Sequence, residues 1–232
     1  MRALTTASSV DRPPRRLKIL ALHGFRANAS VFERQTTLAR WDLDLRDIAE
    51  LYFLDAPNAA SGAIPRDLDA FFGPGVDGRE WWSAETTERG TMSYEGLTRS
   101  LAEMERRCAE DGPFDGVLGF SQGGTMAAIA LASEGLRERF KFGVIVSGMK
   151  SRGEETKGLS YGDVSAPTLH VIGEADRVVP KGLSVGLFDA MSGSVKTMAT
   201  HAGGHVVPRA NERGEPILRA FLEERLREVQ GS

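Results

Sequence analysis

A single cysteine among 232 residues, Cys108, excludes any intramolecular disulfide. Its place in the series Leu97, Leu101, Met104, Cys108 assigns it to the buried face of a helix rather than to catalysis. No run of about 18 apolar residues is present to cross a membrane. A formal charge of -3 and a pI near 5.9 provide no electrostatic attraction to nucleic acid. The H-E-x-x-H motif, paired cysteines and EF-hand loops are all missing, so neither a metal nor a cofactor is expected. "GPGVDG" and "GEADRVVPKG" lack the strand-to-helix setting of a nucleotide loop and read as turns. No internal repeat is evident. The opening stretch "MRALTTASSVDRPPRRLK" has no apolar centre of a secretory signal. Residues 1–16 read as a disordered tail before a cytoplasmic domain, with an organelle transit sequence, suggested by the arginines, as the alternative.

What is present is an ordinary globular balance, 41% hydrophobic and 26% charged. Apolar runs of four to seven residues occur at Leu17–Leu22, Leu51–Leu54, Gly116–Phe120, Phe142–Val146, Thr168–Ile172 and Val195–Thr200. They hardly alternate, as strands buried on both faces of a parallel sheet must not. Helical patterns over Ser93–Asp111, Gln122–Glu134 and Pro216–Val229, with another opened by Pro180, lie between or after them. This alternation predicts one α/β domain over residues 17–230, with a mostly parallel six-stranded sheet and helices on both faces.

Residues 57–92 break the pattern. They are rich in Gly and Pro yet contain Phe71, Phe72, Trp81 and Trp82. A loop of this length in a compact domain is usually functional. The aromatics read either as the wall of a substrate pocket under a lid-like loop or as anchors that hold the loop to the domain.

Gly119-Phe120-Ser121-Gln122-Gly123 matches G-x-S-x-G between a strand pattern and a helix pattern, which is where a nucleophile elbow belongs. The sharp turn needs glycines beside the serine, and it presents the hydroxyl above the sheet. A serine hydroxyl becomes nucleophilic only when a base takes its proton and an acid orients that base. In this architecture the chain order is Ser, acid, His. His23 comes too early, and His170 lies inside a strand. In "THAGGHVVP" His205 is the preferred base because Gly203-Gly204 lets a loop carry it over the sheet edge; His201, at the strand end, reads as a supporting or structural residue. In "VIGEADRVVP" Asp176 is the preferred acid and Glu174 the other possibility. The oxyanion donors expected are the Gln122 amide at a helix N-terminus and the Phe25 amide in "LHGFRANASVF", a loop that His23 shapes.

The segments "KILALHGFRANASVF", "LYFLDAPNA", "GPFDGVLGFSQGGTMAAI", "VIVSGM", "GEADRVVP" and "HAGGHVVP", in this order, closely resemble the FSH1-type serine hydrolases over about residues 17–226. The resemblance implies an α/β-hydrolase fold with a reduced six-stranded sheet. It also implies Ser121, Asp176 and His205 as the triad, and Phe25 and Gln122 as oxyanion donors. Members of that family cleave alkyl esters, and some fungal relatives are thioesterases that release polyketide products. "GFSQGG" is also similar to the acyl-protein thioesterase and carboxylesterase group, whereas "LDAPNA" and "GGHVVP" favour the first family. The expected function is therefore hydrolysis of small-molecule esters or thioesters, and the aromatics of the 57–92 loop point to medium-to-long acyl chains. A non-catalytic hydrolase-fold receptor is the reading from another class.

Overall fold

In a computed structural model of the chain, residues 15–64, 73, 75–193, 195–210 and 217–231 are described. Six strands form one sheet: β1 (Leu17–Leu22), β2 (Ala49–Leu54), β7 (Gly116–Phe120), β8 (Phe142–Val146), β9 (Thr168–Gly173) and β10 (Lys196–His201). Their order is β10-β9-β8-β7-β1-β2, and every pairing is parallel. The runs of apolar residues thus mark the sheet of an α/β-hydrolase fold.

Side chains leave the two faces alternately. Leu20 and Leu22 of β1 and Ile145 of β8 join one apolar layer with the helices α3 (Leu97–Glu110) and α4 (Gln122–Ala132). Leu17, Ile19 and Ala21, with Phe142, Val144 and Val146, face the other layer, which includes Phe32, Trp41, Phe221 and Leu222. Those four belong to α1 (Ala29–Leu38), α2 (Trp41–Asp44) and α6 (Ile217–Gly231). Helix α1 starts where Asn28 Oδ1 accepts the Val31 N–H at 2.8 Å, a side-chain N-cap. Helix α5 (Lys181–Ala190) follows Pro180 directly. Cys108 packs with Leu97 and Met104, and burial pushes its thiol up to about 11.

The helical pattern expected from Ser93 begins later. Residues Met92–Glu95 form β6, Gly96 turns the chain at φ 86°, and the helix starts at Leu97. Residues 57–92, expected as a loop, contain β3 (Asn58–Ala59) paired with β4 (Arg79–Glu80), and β5 (Ser83–Thr86) paired with β6 around a turn at Thr87–Thr91. These strands are two to four residues long and largely polar, so no apolar run marks them. Of the expected N-terminal tail, residues 1–14 lie outside the described residues. Arg15 and Arg16 are fixed: Arg15 pairs with Asp115 at 2.8 Å and donates to the Val229 carbonyl, its own carbonyl accepts from Gln230 Nε2, and Arg16 pairs with Glu50.

Helix α4 lies unusually close to the sheet because its first turn is glycine. A methyl group on Gly123 would stand 2.2 Å from the Leu22 carbonyl oxygen, and one on Gly119 would stand 2.0 Å from the Gly123 oxygen. Neither position can yield, since the obstacles are backbone. Gly123→Ala is expected to lower the free energy of unfolding in urea by about 3 kcal/mol, the upper part of the range for overpacked cores. Gly158→Ala, where a methyl meets nothing within 4 Å, is expected to change it by less than about 0.5 kcal/mol.

Candidate active site

Strand β7 ends at Phe120 and α4 begins at Gln122, which leaves Ser121 alone to turn the chain. It does so at φ 57°, ψ -116°, a conformation that side-chain-bearing residues rarely adopt. Strain of this kind costs about 1–3 kcal/mol and persists only where the surroundings fix it. Here the Ser121 N–H donates to the Val146 carbonyl of the neighbouring strand, and the Ser121 carbonyl accepts the Thr125 N–H in the first turn of α4. The hydroxyl is thereby raised over the C-terminal edge of the sheet.

Two loops at that edge meet it. His205 Nε2 lies 2.9 Å from Ser121 Oγ, and His205 Nδ1 lies 2.8 Å from Asp176 Oδ2. An ionised carboxylate only accepts, so the imidazole proton is on Nδ1 and Nε2 is left to accept the serine O–H. Asp176 Oδ1 accepts the Val178 and Val179 amides at 2.9 and 2.8 Å. Burial alone would raise this carboxyl. The His205 bond and the two amides outweigh it and hold Asp176 below the ordinary carboxylate value, so it stays ionised. The Phe120 ring, 4.8 Å from the imidazole centroid, supports His205 from the sheet side.

The two loops are joined through their backbones. The Glu174 N–H donates to the His201 carbonyl, and the Ala175 N–H to that of Gly203. Farther along, Trp41 Nε1 donates to the Pro208 carbonyl at 2.8 Å. The path of the histidine loop is thus fixed on both sides of His205. Of the alternatives weighed in the sequence, Glu174 is exposed and near Thr200 Oγ1, and His201 is buried at the end of β10. Neither is hydrogen-bonded to Ser121 among the described contacts.

Gln122 is at the first position of α4, beside Ser121. The Gly24–Phe25 segment also reaches the serine, since a methyl on Gly24 would stand 3.5 Å from Ser121 Cβ. Phe25 itself is 39% exposed. Phe71 and Phe72 lie outside the described residues. Trp81 and Trp82 do not face an open cleft: both are buried in the core, Trp82 stacks on Tyr94 at 4.7 Å, and Trp81 Nε1 donates to the His23 carbonyl. They anchor the 57–92 segment. Each indole removes on the order of 200 Å² from water, worth up to about 5 kcal/mol. That exceeds the roughly 3 kcal/mol length-dependent cost of closing a loop of this size.

Sequence reasoning missed a side-chain role for Gln122. Its Oε1 accepts the Trp81 N–H at 3.0 Å, and its Nε2 donates to the Trp82 carbonyl at 2.8 Å. The paired tryptophans in a Gly-rich stretch were the only signal of this tie.

The chain has relatives of known kind. A family model described as "Serine hydrolase (FSH1)" matches residues 13–217. Esterase OVCA2 of Xenopus tropicalis is 35% identical over 207 residues, covering 83% of this chain and 86% of that protein. Esterase OVCA2 of Homo sapiens is 34% identical over 225 residues, covering 90% and 97%. Among solved structures, Zea mays acyl-protein thioesterase 2 superposes with a TM-score of 0.60 at 18% identity, over 93% of this chain and 96% of that one. Arabidopsis thaliana SOBER1 L63A gives 0.58 at 18% identity, over 91% and 100%. These two structures share the fold. Among the described residues no helix is long and apolar enough to cross a membrane.

Burial lowers two other histidines to about 4, His23 after β1 and His170 within β9, the latter also under the influence of Lys196. In the unfolded chain both protonate near 6.5. Between pH 6.5 and 4 the unfolded state therefore binds more protons than the native one, and stability falls as pH falls. Each histidine contributes a slope of about 1.4 kcal/mol per pH unit in that window and none above it. Urea unfolding at pH 7, 5.5 and 4.5 is expected to show this loss, and His170→Leu is expected to remove about half of it.

Proposed function

The chain belongs to the FSH1 serine hydrolase family and is an enzyme, and from that premise we propose that Ser121, His205 and Asp176 are its catalytic triad, acting on carboxylic esters. The observation that carries this reading is the unbroken line of hydrogen bonds from Asp176 through His205 to Ser121, at 2.8 and 2.9 Å. In the acylation step Ser121 Oγ attacks the carbonyl carbon while His205 Nε2 takes the hydroxyl proton. Asp176 keeps the imidazole in the tautomer that can do this and stabilises its positive charge. The Gln122 and Phe25 amides receive the developing oxyanion. Collapse of the tetrahedral intermediate expels the alcohol, which takes its proton from His205. Water then enters, is deprotonated by the same nitrogen, and releases the acid from the acyl-enzyme. Apart from that water, every group that acts in these steps belongs to the chain.

The acyl group proposed is of medium length or longer. The support is apolar surface on the loops that carry the machinery. Phe25 follows β1, Val178 follows the acid, and Val206 follows the base; all three are exposed. Thioesters remain the second substrate class, favoured by the fold shared with an acyl-protein thioesterase.

A fluorophosphonate probe is expected to label the wild-type protein and to leave Ser121→Ala unlabelled. Folded wild-type protein that fails to react would overturn the triad. Asp176→Asn is expected to lower kcat by about 10⁴ with the fold intact, since the imidazole would be held in the wrong tautomer. Across p-nitrophenyl esters from acetate to decanoate kcat/KM is expected to rise, and a flat or falling series would refute the chain-length assignment.

A further inference from the structure

Two oxyanion donors can act together only if their N–H vectors converge on one point, and those of Phe25 and Gln122 come from a loop after one strand and a helix start after another. We propose that His23 and Trp81 are positioning residues that fix the direction and the separation of these two amides. This inference rests on the triad reading above.

The direction of the Phe25 amide follows from peptide planarity. In a trans peptide the carbonyl of residue 24 and the N–H of residue 25 point in opposite directions, so holding one aims the other. The Gly24 carbonyl is held twice. His23 Nδ1 lies 2.8 Å from it, and the Ala27 N–H donates to it at 3.2 Å. The tautomer needed for the first bond is itself imposed. The Ala56 N–H donates to His23 Nε2 at 3.0 Å, so that nitrogen carries no proton and Nδ1 does. His23 has no solvent exposure, so water does not compete for either bond. A buried imidazole outside the triad thus has both nitrogens committed to the loop that carries one donor.

The separation follows from Trp81. Its Nε1–H donates to the His23 carbonyl at 2.9 Å, its ring packs 5.2 Å from the His23 imidazole, and its backbone N–H donates to Gln122 Oε1. Gln122 Nε2 closes the link by donating to the Trp82 carbonyl. One residue therefore spans from the peptide before Gly24 to the side chain of the residue that supplies the other amide. Trp81 is also fully buried, so the span is rigid. The chain contributes Trp81 from the 57–92 segment, not from either loop it joins. Acquiring the oxyanion hole and docking that segment are then one event.

Loss of a donor in other hydrolases lowers kcat about 10²- to 10³-fold, and a donor left in place but misaimed should lose part of that. Trp81→Phe keeps a ring and removes the Nε1–H. His23→Asn keeps a donor where Nδ1 stood, and His23→Leu removes it. With rates normalised to folded protein by near-UV circular dichroism, Trp81→Phe and His23→Leu are expected to lower kcat about 10- to 100-fold. KM should stay within about 3-fold, because the oxyanion exists only after attack. His23→Asn should recover at least part of the loss. The affinity of an alkyl boronate, which forms a tetrahedral adduct on the serine, should fall by the same factor as kcat/KM across the series. A role confined to stability would lower the melting temperature and leave both quantities unchanged per folded molecule. That result in Trp81→Phe, or in both His23 variants should Trp81→Phe not fold, overturns the inference. Ser121→Ala separates the two proposals. If it remains active, the triad reading fails; if it is inactive while the Trp81 and His23 variants match wild type, only the positioning fails.

Discussion

The close approach of backbone to backbone at the head of α4 is the constraint from which the active edge follows. Leu22, Gly119 and Gly123 pack with no room for a side-chain carbon, and this compression obliges Ser121 to occupy φ 57°. The hydrogen bonds on either side of Ser121, to Val146 and from Thr125, keep that strained residue from relaxing. Once its hydroxyl direction is fixed, the other groups have a fixed target. The β9 and β10 loops deliver carboxylate and imidazole to it, and the β1 loop packs against its Cβ.

Much of this was legible from order and pattern. Strands buried on both faces give continuous apolar runs, and five of the six expected runs coincide with observed strands at both ends or to within one residue: β1, β7, β8, β9 and β10. Ser121, Asp176 and His205 could be named because chain order and strand ends restrict an acid and a base to a few positions. The preference for Asp176 over Glu174 required knowing that an acid deeper in the loop reaches farther. In the structure its depth also lets it collect the Val178 and Val179 amides.

What stayed illegible is held by contacts between residues far apart in sequence. Asn58 Nδ2 reaches the carbonyls of Glu80, Trp81 and Gly96, which ties β3 to β4 and to the start of α3, and no local pattern announces that. The strands β5 and β6 are only four residues long; β6 turns Met92 and Tyr94 toward the core, but so short an alternation does not mark a strand or fix its partner by itself. Chain order set the imidazole of His23 aside as a candidate base, and its two nitrogens bond to the Gly24 carbonyl and the Ala56 amide instead. Its commitment to the Gly24 carbonyl depends on Ala56, 33 positions away, closing off the other nitrogen. Helix α2 is a further case, since its Trp41 holds the histidine loop through the distant Pro208 carbonyl.

The ladder of contacts between Arg15 and the last turn of α6 makes the described fold nearly a closed ring. Arg15 donates to the Val229 carbonyl and accepts from Gln230, at the edge of the sheet opposite Ser121. Joining residue 230 to residue 15 would add little closure entropy, because the two are already neighbours. The chain could then be opened elsewhere, and the exposed turn at Thr87–Thr91 is a natural place for the cut. In such a permuted chain the order of Asp176, His205 and Ser121 around the ring would be unchanged. The architecture depends on that cyclic order, and the position of the termini is incidental to it.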